Sequence, residues 1–173
     1  MPPPDSSPSL SPGPRDLMPI VQGLVRGPWP KTEVEREVLF GALGFVSGNN
    51  VDAEDHDSPH QMMSLDLGLP GKMVSFWDTY RQQFLSVCTH LYGSLNAQDP
   101  VAQYGYEALQ AQLSQLYGTP ERPWDDEDQS VGMWRCNGRS ITLQLFDRSD
   151  STVMLTIEDL ALASIIEAEE AAH

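Results

Sequence analysis

Apolar and polar positions alternate most regularly near the C-terminus, over VGMWRCNGRSITLQLFDRSDSTVMLTIE, from Val131 to Glu158. Ile141, Leu143 and Leu145 alternate with Thr142, Gln144 and Phe146, and Val153, Leu155 and Ile157 with Met154, Thr156 and Glu158. A period of two is the spacing of a strand with one face on a core. Three short runs result, Val131–Cys136, Ser140–Phe146 and Thr152–Ile157, separated by Asn137-Gly138 and by Asp147–Asp150. Asn-Gly between two such runs marks a hairpin, because a type I′ turn needs two residues at positive φ. The pattern predicts a three-stranded antiparallel meander.

Upstream the spacing changes to that of helices. Asp16–Trp29 carries Leu17, Ile20, Val21, Leu24 and Val25, interrupted by Pro19, Gly23 and Gly27, and predicts one or two weak helical turns. Thr32 and Glu35 fit a capping box, and Val34, Val38, Leu39 and Leu43 are the predicted buried face of a helix ending near Leu43. Residues 44–50 suit an edge strand, and His60–Leu67 alternates through Met63, Leu65 and Leu67 as another. Leu69-Pro70-Gly71-Lys72 has the proline and glycine of a type II turn. Met73–Phe76 reads either as the returning strand or as the first turn of a helix. That helix is predicted over Ser75–Tyr92, with Trp77, Tyr80, Phe84, Val87, Cys88 and Leu91 on one side and Gly93 at its end. Asp99-Pro100 opens the next helix as N-cap and first residue, with Val101, Leu109, Leu113, Leu116 and Tyr117 as its stripe. Asp159 caps a last helix, Leu160–Ala172, facing inward through Leu162, Ile165, Ile166 and Glu169. The order of elements predicts an α+β fold: an antiparallel sheet with a C-terminal three-stranded meander, and helices packed on one face.

Composition sets the limits. Met1–Arg15 is rich in proline and serine and nearly devoid of apolar side chains, so residues 1–15 are expected to be a disordered tail and residues 16–173 a single domain. The net charge is −15, from 25 acids and 10 bases. Such a field disfavours binding to nucleic acid or to anionic membrane, and favours solubility or fast association with a basic protein. No apolar run has the length of a membrane span, and no basic-then-apolar signal opens the chain, so the expected location is cytoplasmic. Cys88 and Cys136 are far apart in sequence and read as buried thiols of a reducing compartment.

Candidate chemistry is sparse. Asp52, Glu54, Asp55, His56, Asp57 and His60 offer ligand types, but Pro59 breaks any helix between the histidines and the glycine of a calcium loop is missing, so no metal is expected. Neither cysteine has the setting of a nucleophile, His90 reads as a structural residue on a helix, and FGALGF and GLPGK match no phosphate cradle. No carboxylate pair is singled out by an apolar setting, and no cofactor is implied. The remaining constellation is one for protein recognition: Trp124 beside the acidic run Asp125, Asp126, Glu127 and Asp128, with the acids of 52–57 as a second patch. Aromatic side chains give contact area at small entropic cost, and acids steer a basic partner. Trp134, on the first meander strand, reads instead as a core plug.

The C-terminal third carries L-x-x-L-Y-G-T-P at Leu113–Pro120, W-x-x-N-G-x-x-I-x-L-x-L at Trp134–Leu145, V-x-L-x-I at Val153–Ile157 and an Ala/Glu-rich helix over Asp159–Ala172. This resembles the ends of small α+β proteins of high-GC actinobacteria, some of them thought to be immunity partners of polymorphic toxins. The resemblance implies a non-enzymatic binder that blocks a basic toxin; the sequence leaves monomer and homodimer both open. The resemblance carries over no functional residue. A secretion chaperone or adaptor for an effector protein is the alternative, and a small hydrolase-type enzyme ranks third.

Overall fold

A computed structural model describes residues 7–51, 57–123 and 130–173. Its centre is a seven-stranded sheet formed from β1 (Val46–Asn50), β2 (His60–Asp66), β3 (Met73–Tyr80), β4 (Gln83–Ser94), β5 (Ser130–Cys136), β6 (Arg139–Phe146) and β7 (Ser151–Asp159). The spatial order is β1-β2-β3-β4-β7-β6-β5, and every neighbouring pair is antiparallel. Among the described residues the helices are α1 (Pro14–Val25), α2 (Glu33–Leu43), α3 (Pro100–Tyr117) and α4 (Leu160–Ala171). The fold is therefore α+β with an antiparallel sheet, and its last three strands form the expected meander. Asn137 and Gly138 take φ of 52° and 77°, which the tight β5–β6 turn requires.

One sheet face carries the core. Trp77, Val87, Leu91, Ile141, Leu143, Val153, Leu155 and Ile157 point into it, and α1 and α3 cover them with Leu17, Val21, Leu24, Leu109 and Leu113. Removing one such side chain from water contributes about 1.5–3 kcal/mol. Gly105 lets α3 approach the sheet, since a Cβ there would collide with the ring of Tyr92. Trp134 is 2% exposed and its Nε1 donates to Gly118 O at 2.8 Å, so it plugs the gap between α3 and β5.

The helix predicted over 75–92 is instead the β3–β4 hairpin. Its turn is Arg81-Gln82, at φ 48° and 69°, the two positive angles of a tight hairpin without the glycine that advertises one. The apolar spacing of three and four arises because the turn and a register shift beside Leu85 break the alternation. Ser75 and Asp78 do not cap anything: Ser75 Oγ donates to Thr89 Oγ1 at 2.7 Å, and Asp78 accepts from Ser86 Oγ at 2.6 Å.

The described structure also includes part of the expected tail. Pro14 is the first residue of α1, and Pro12 is buried with its carbonyl accepting from Tyr92 Oη at 2.6 Å. In α2 the predicted face holds in part: Leu39 and Leu43 pack against the core, but Val34 and Val38 are exposed, and Arg36 and Phe40 are buried in their stead. Arg36 lies 4.1 Å over the Trp77 ring, a cation–π contact that lets a charged residue turn inward. In α3, Val101 and Leu116 are exposed and Ala102, Gly105 and Tyr106 take their places beside Leu109 and Leu113. In α4, Leu162 and Ile166 are buried and Ile165 is exposed.

Candidate functional site

Alternation leaves a second sheet face, and α1 and α3 do not reach it. On β3 it presents Val74, Phe76 and Asp78, on β4 Ser86, Cys88 and His90, and on β7 Met154, Thr156 and Glu158. Register aligns these as rows across three strands: Asp78 with Ser86 and Glu158, Phe76 with Cys88 and Thr156, Val74 with His90 and Met154. Val74 is 55% exposed, Phe76 and Met154 are half-buried, and Met62 on β2 lies exposed opposite Asp78. The Phe76 and His90 rings meet edge-on at 6.5 Å. Among the described residues, α4 is the helix that borders this face. It packs Leu162 and Ile166 on Tyr80 and Leu85, and is tied down by Tyr80 Oη donating to Glu169 and by an Arg81–Glu169 ion pair at 3.0 Å.

The electrostatics of the polar row are unusual for an open sheet. Glu158 is pushed up to about 6, first by burial and then by the negative charges of Asp78, Glu167 and Asp159. Asp78 is also raised, by burial, despite the hydrogen bond from Ser86 and the nearby His60 that favour its charged form. Neither carboxylate has an ion-pair partner among the described residues. They are half-buried carboxylates set beside apolar side chains.

Cys88 and His90 share this face, with Sγ 4.0 Å from Nε2. Burial raises the Cys88 thiol, with the Asp78 charge adding to it. Nucleophilic cysteines need the opposite shift, so the pair has the geometry of a contact and lacks the electrostatics of a catalytic dyad. Both cysteines are free and half-buried rather than fully buried as expected.

Of the residues expected to bind a partner, Asp52, Glu54 and Asp55, and Trp124, Asp125, Asp126, Glu127 and Asp128, lie outside the described residues. Asp57 is exposed in the turn before β2, at the β2–β3–β4 end of the sheet. His60 opens β2 and packs on the Tyr80 ring at 4.9 Å. Among the described residues no three His, Cys, Asp or Glu side chains gather as a metal site. No described helix is long and apolar enough to cross a membrane. The row of Asp78, Ser86 and Glu158 escaped sequence reading, because its members are joined only by strand pairing and two of them fell within a predicted helix. Compared with protein-family models, curated proteins and solved structures, the chain gives no match.

Proposed function

We propose that this chain is a non-enzymatic, acidic protein-binding domain, an immunity- or antitoxin-like inhibitor that docks a basic partner protein on the open sheet face. The observation that carries this reading is the pair Asp78 and Glu158: both are partly desolvated, both are raised by burial, and neither is ion-paired among the described residues, His60 easing only Asp78. A lysine or arginine from a partner, reaching the half-buried carboxylates from the rim of the buried Ser86, would relieve both charges. Phe76, Val74 and Met154 beside the row supply the apolar contact that makes such a charge pair count, by excluding water around it. The net charge of −15 steers a basic protein toward the domain, and the acidic runs at 52–57 and 125–128 add to that field.

A second reading, a secretion chaperone or adaptor, has one observation in its favour: Met62, Val74, Phe76 and Met154 give the same face an adaptable apolar surface. The two differ in what holds the complex together. Tagged protein is used to capture partners from lysate and secreted fractions of its host, with washes at low and then high salt. A stoichiometric basic partner, lost at high salt and lost from the Asp78→Asn/Glu158→Gln variant, supports the inhibitor. A partner kept at high salt, indifferent to that variant and lost from Phe76→Ser, supports the adaptor. Capture by neither route overturns both.

A further inference from the structure

A cleft of about 620 Å³ lies between the loop joining α1 to α2, the Asn137-Gly138 turn and the first turn of α4. That volume is within the range of small-molecule sites. Its walls are mostly apolar, with Pro28, Trp29, Phe84, Leu162 and Ile165. Among the described residues its charged lining is two cations, Arg139 and Lys31, against one acid, Asp159. In a chain with a net charge of −15 this local excess of positive charge runs against the whole.

Arg139 is the centre of the site. It is 3% exposed, lies at the start of β6, and holds its guanidinium carbon 5.4 Å from the Trp29 ring centre, with Trp29 stacked in turn on Phe84 at 4.4 Å. One terminal nitrogen, Nη1, donates to Val25 O at 3.1 Å and to Asn137 O at 2.7 Å. These bonds give Arg139 a structural role at the C-terminus of α1, whose last turn contains no basic residue. They leave its Nε as a buried donor without an acceptor among the described residues. The cross-strand neighbour Asp159 does not close an ion pair with it, and one Asp159 carboxylate oxygen instead accepts from Leu162 N as the cap of α4. A buried cation with an unused donor is costly, and an anion supplied from outside removes that cost. The first turn of α4, Leu160 to Leu162, lines the same cleft and favours negative charge there.

We infer that this cleft binds a small carboxylate with an apolar body, its carboxyl group on the Arg139 guanidinium and Lys31, and its body against Trp29, Leu162 and Ile165. A planar carboxylate suits the fork of a guanidinium better than a spherical anion does. Asp159 opposes a second negative charge, which selects a monoanion over a dianion. The same chemistry is available from a free acid or from the C-terminal carboxyl of a chain ending in an apolar residue.

Isothermal titration of the full chain with phenylacetate, and with its neutral counterpart phenylacetamide, tests the assignment. The expected result is one site per chain, with the amide at least about tenfold weaker, because it cannot make the charge-assisted bonds. Arg139→Gln should abolish binding, but the variant also loses part of the α1 cap and can misfold. Ile165→Glu therefore serves as the second variant: the position is exposed, so folding is unaffected, and the new charge should expel phenylacetate from the cleft. A tripeptide ending in phenylalanine, set against its C-terminal amide, separates the two sources, since tighter binding of the acid peptide than of phenylacetate assigns a chain end and the reverse assigns a free acid. No heat with any carboxylate at millimolar concentration, equal binding of phenylacetamide, or unaltered binding to Ile165→Glu overturns the inference.

Discussion

Glu158 shows how one side chain can set a property of the whole fold. The folded protein keeps the Glu158 proton up to about pH 6, whereas an unperturbed glutamate releases it near 4.5. Between those values the native state binds more protons than the unfolded chain, so stability falls as pH rises through that window and stays reduced above it. Glu158→Gln removes the buried charge without changing the shape. At pH 7 the variant should be more stable than the parent by roughly 1 kcal/mol, the larger figure implied by the shift being discounted for the part of the side chain that solvent screens. At pH 4, where Glu158 is already neutral, the two should unfold alike. Urea unfolding at both pH values checks this, and an equal gain at pH 4 and pH 7 would show that the charge is not its source. A carboxylate retained at such a cost fits a surface that awaits a cation.

At the scale of elements, the two tight hairpins make an instructive pair. The β5–β6 turn uses Asn137-Gly138 and the β3–β4 turn uses Arg81-Gln82, yet both place two consecutive residues at positive φ. A left-handed conformation costs a residue with a Cβ roughly 1 kcal/mol, and glycine avoids that cost. Gln82→Gly should therefore raise stability by about 0.5–1 kcal/mol, while Arg81 keeps its ion pair with Glu169. A thermal melt checks it, with a rise of roughly 2–4 °C for each kcal/mol expected in a domain of this size. An unchanged or lowered midpoint would mean that the Gln82 side chain stabilises the turn in a way its backbone angle does not show. The same contrast explains what the sequence could reveal. Asn137-Gly138 announces its turn, and Ile141, Leu143, Leu145, Val153, Leu155 and Ile157 announce their face, so the meander was legible. Arg81-Gln82-Gln83 looks like the polar side of a helix, and it hid two central strands and, with them, Asp78 and Ser86 of the second sheet face. Arg36 misled in another way: it turns inward onto Phe40 and Trp77, and so sends Val34 and Val38 to the surface. The caps at Thr32, Asp99 and Asp159 were all legible, since each depends on a residue only two or three positions away.

For the molecule as a whole, charge and sheet face should act on different steps of association. The charge of −15 is spread over the chain and acts at a distance, whereas Phe76, Val74 and Met154 act only on contact. Long-range attraction raises the rate of encounter and weakens as salt shortens the screening length to about 8 Å at physiological ionic strength. Desolvated contacts determine how long a complex lasts, and salt alters them little. Stopped-flow or surface-binding kinetics with the proposed basic partner should therefore show two separable effects. Raising salt from about 20 mM to about 500 mM should lower the association rate by about tenfold or more, and reversing charges in the Asp125–Asp128 run should lower it as well. Phe76→Ser should leave association nearly intact and speed dissociation by roughly tenfold or more, as expected for the loss of a central aromatic contact. Glu158→Gln belongs with the second group, and with a pH signature of its own. The free domain must give up a proton to pair Glu158 with a cation, so parent affinity should fall as pH drops below about 6, and the variant should lose that dependence. If Phe76→Ser and Glu158→Gln leave dissociation unchanged while the acidic run alone matters, the partner docks elsewhere, and the open face is not the inhibitor's surface.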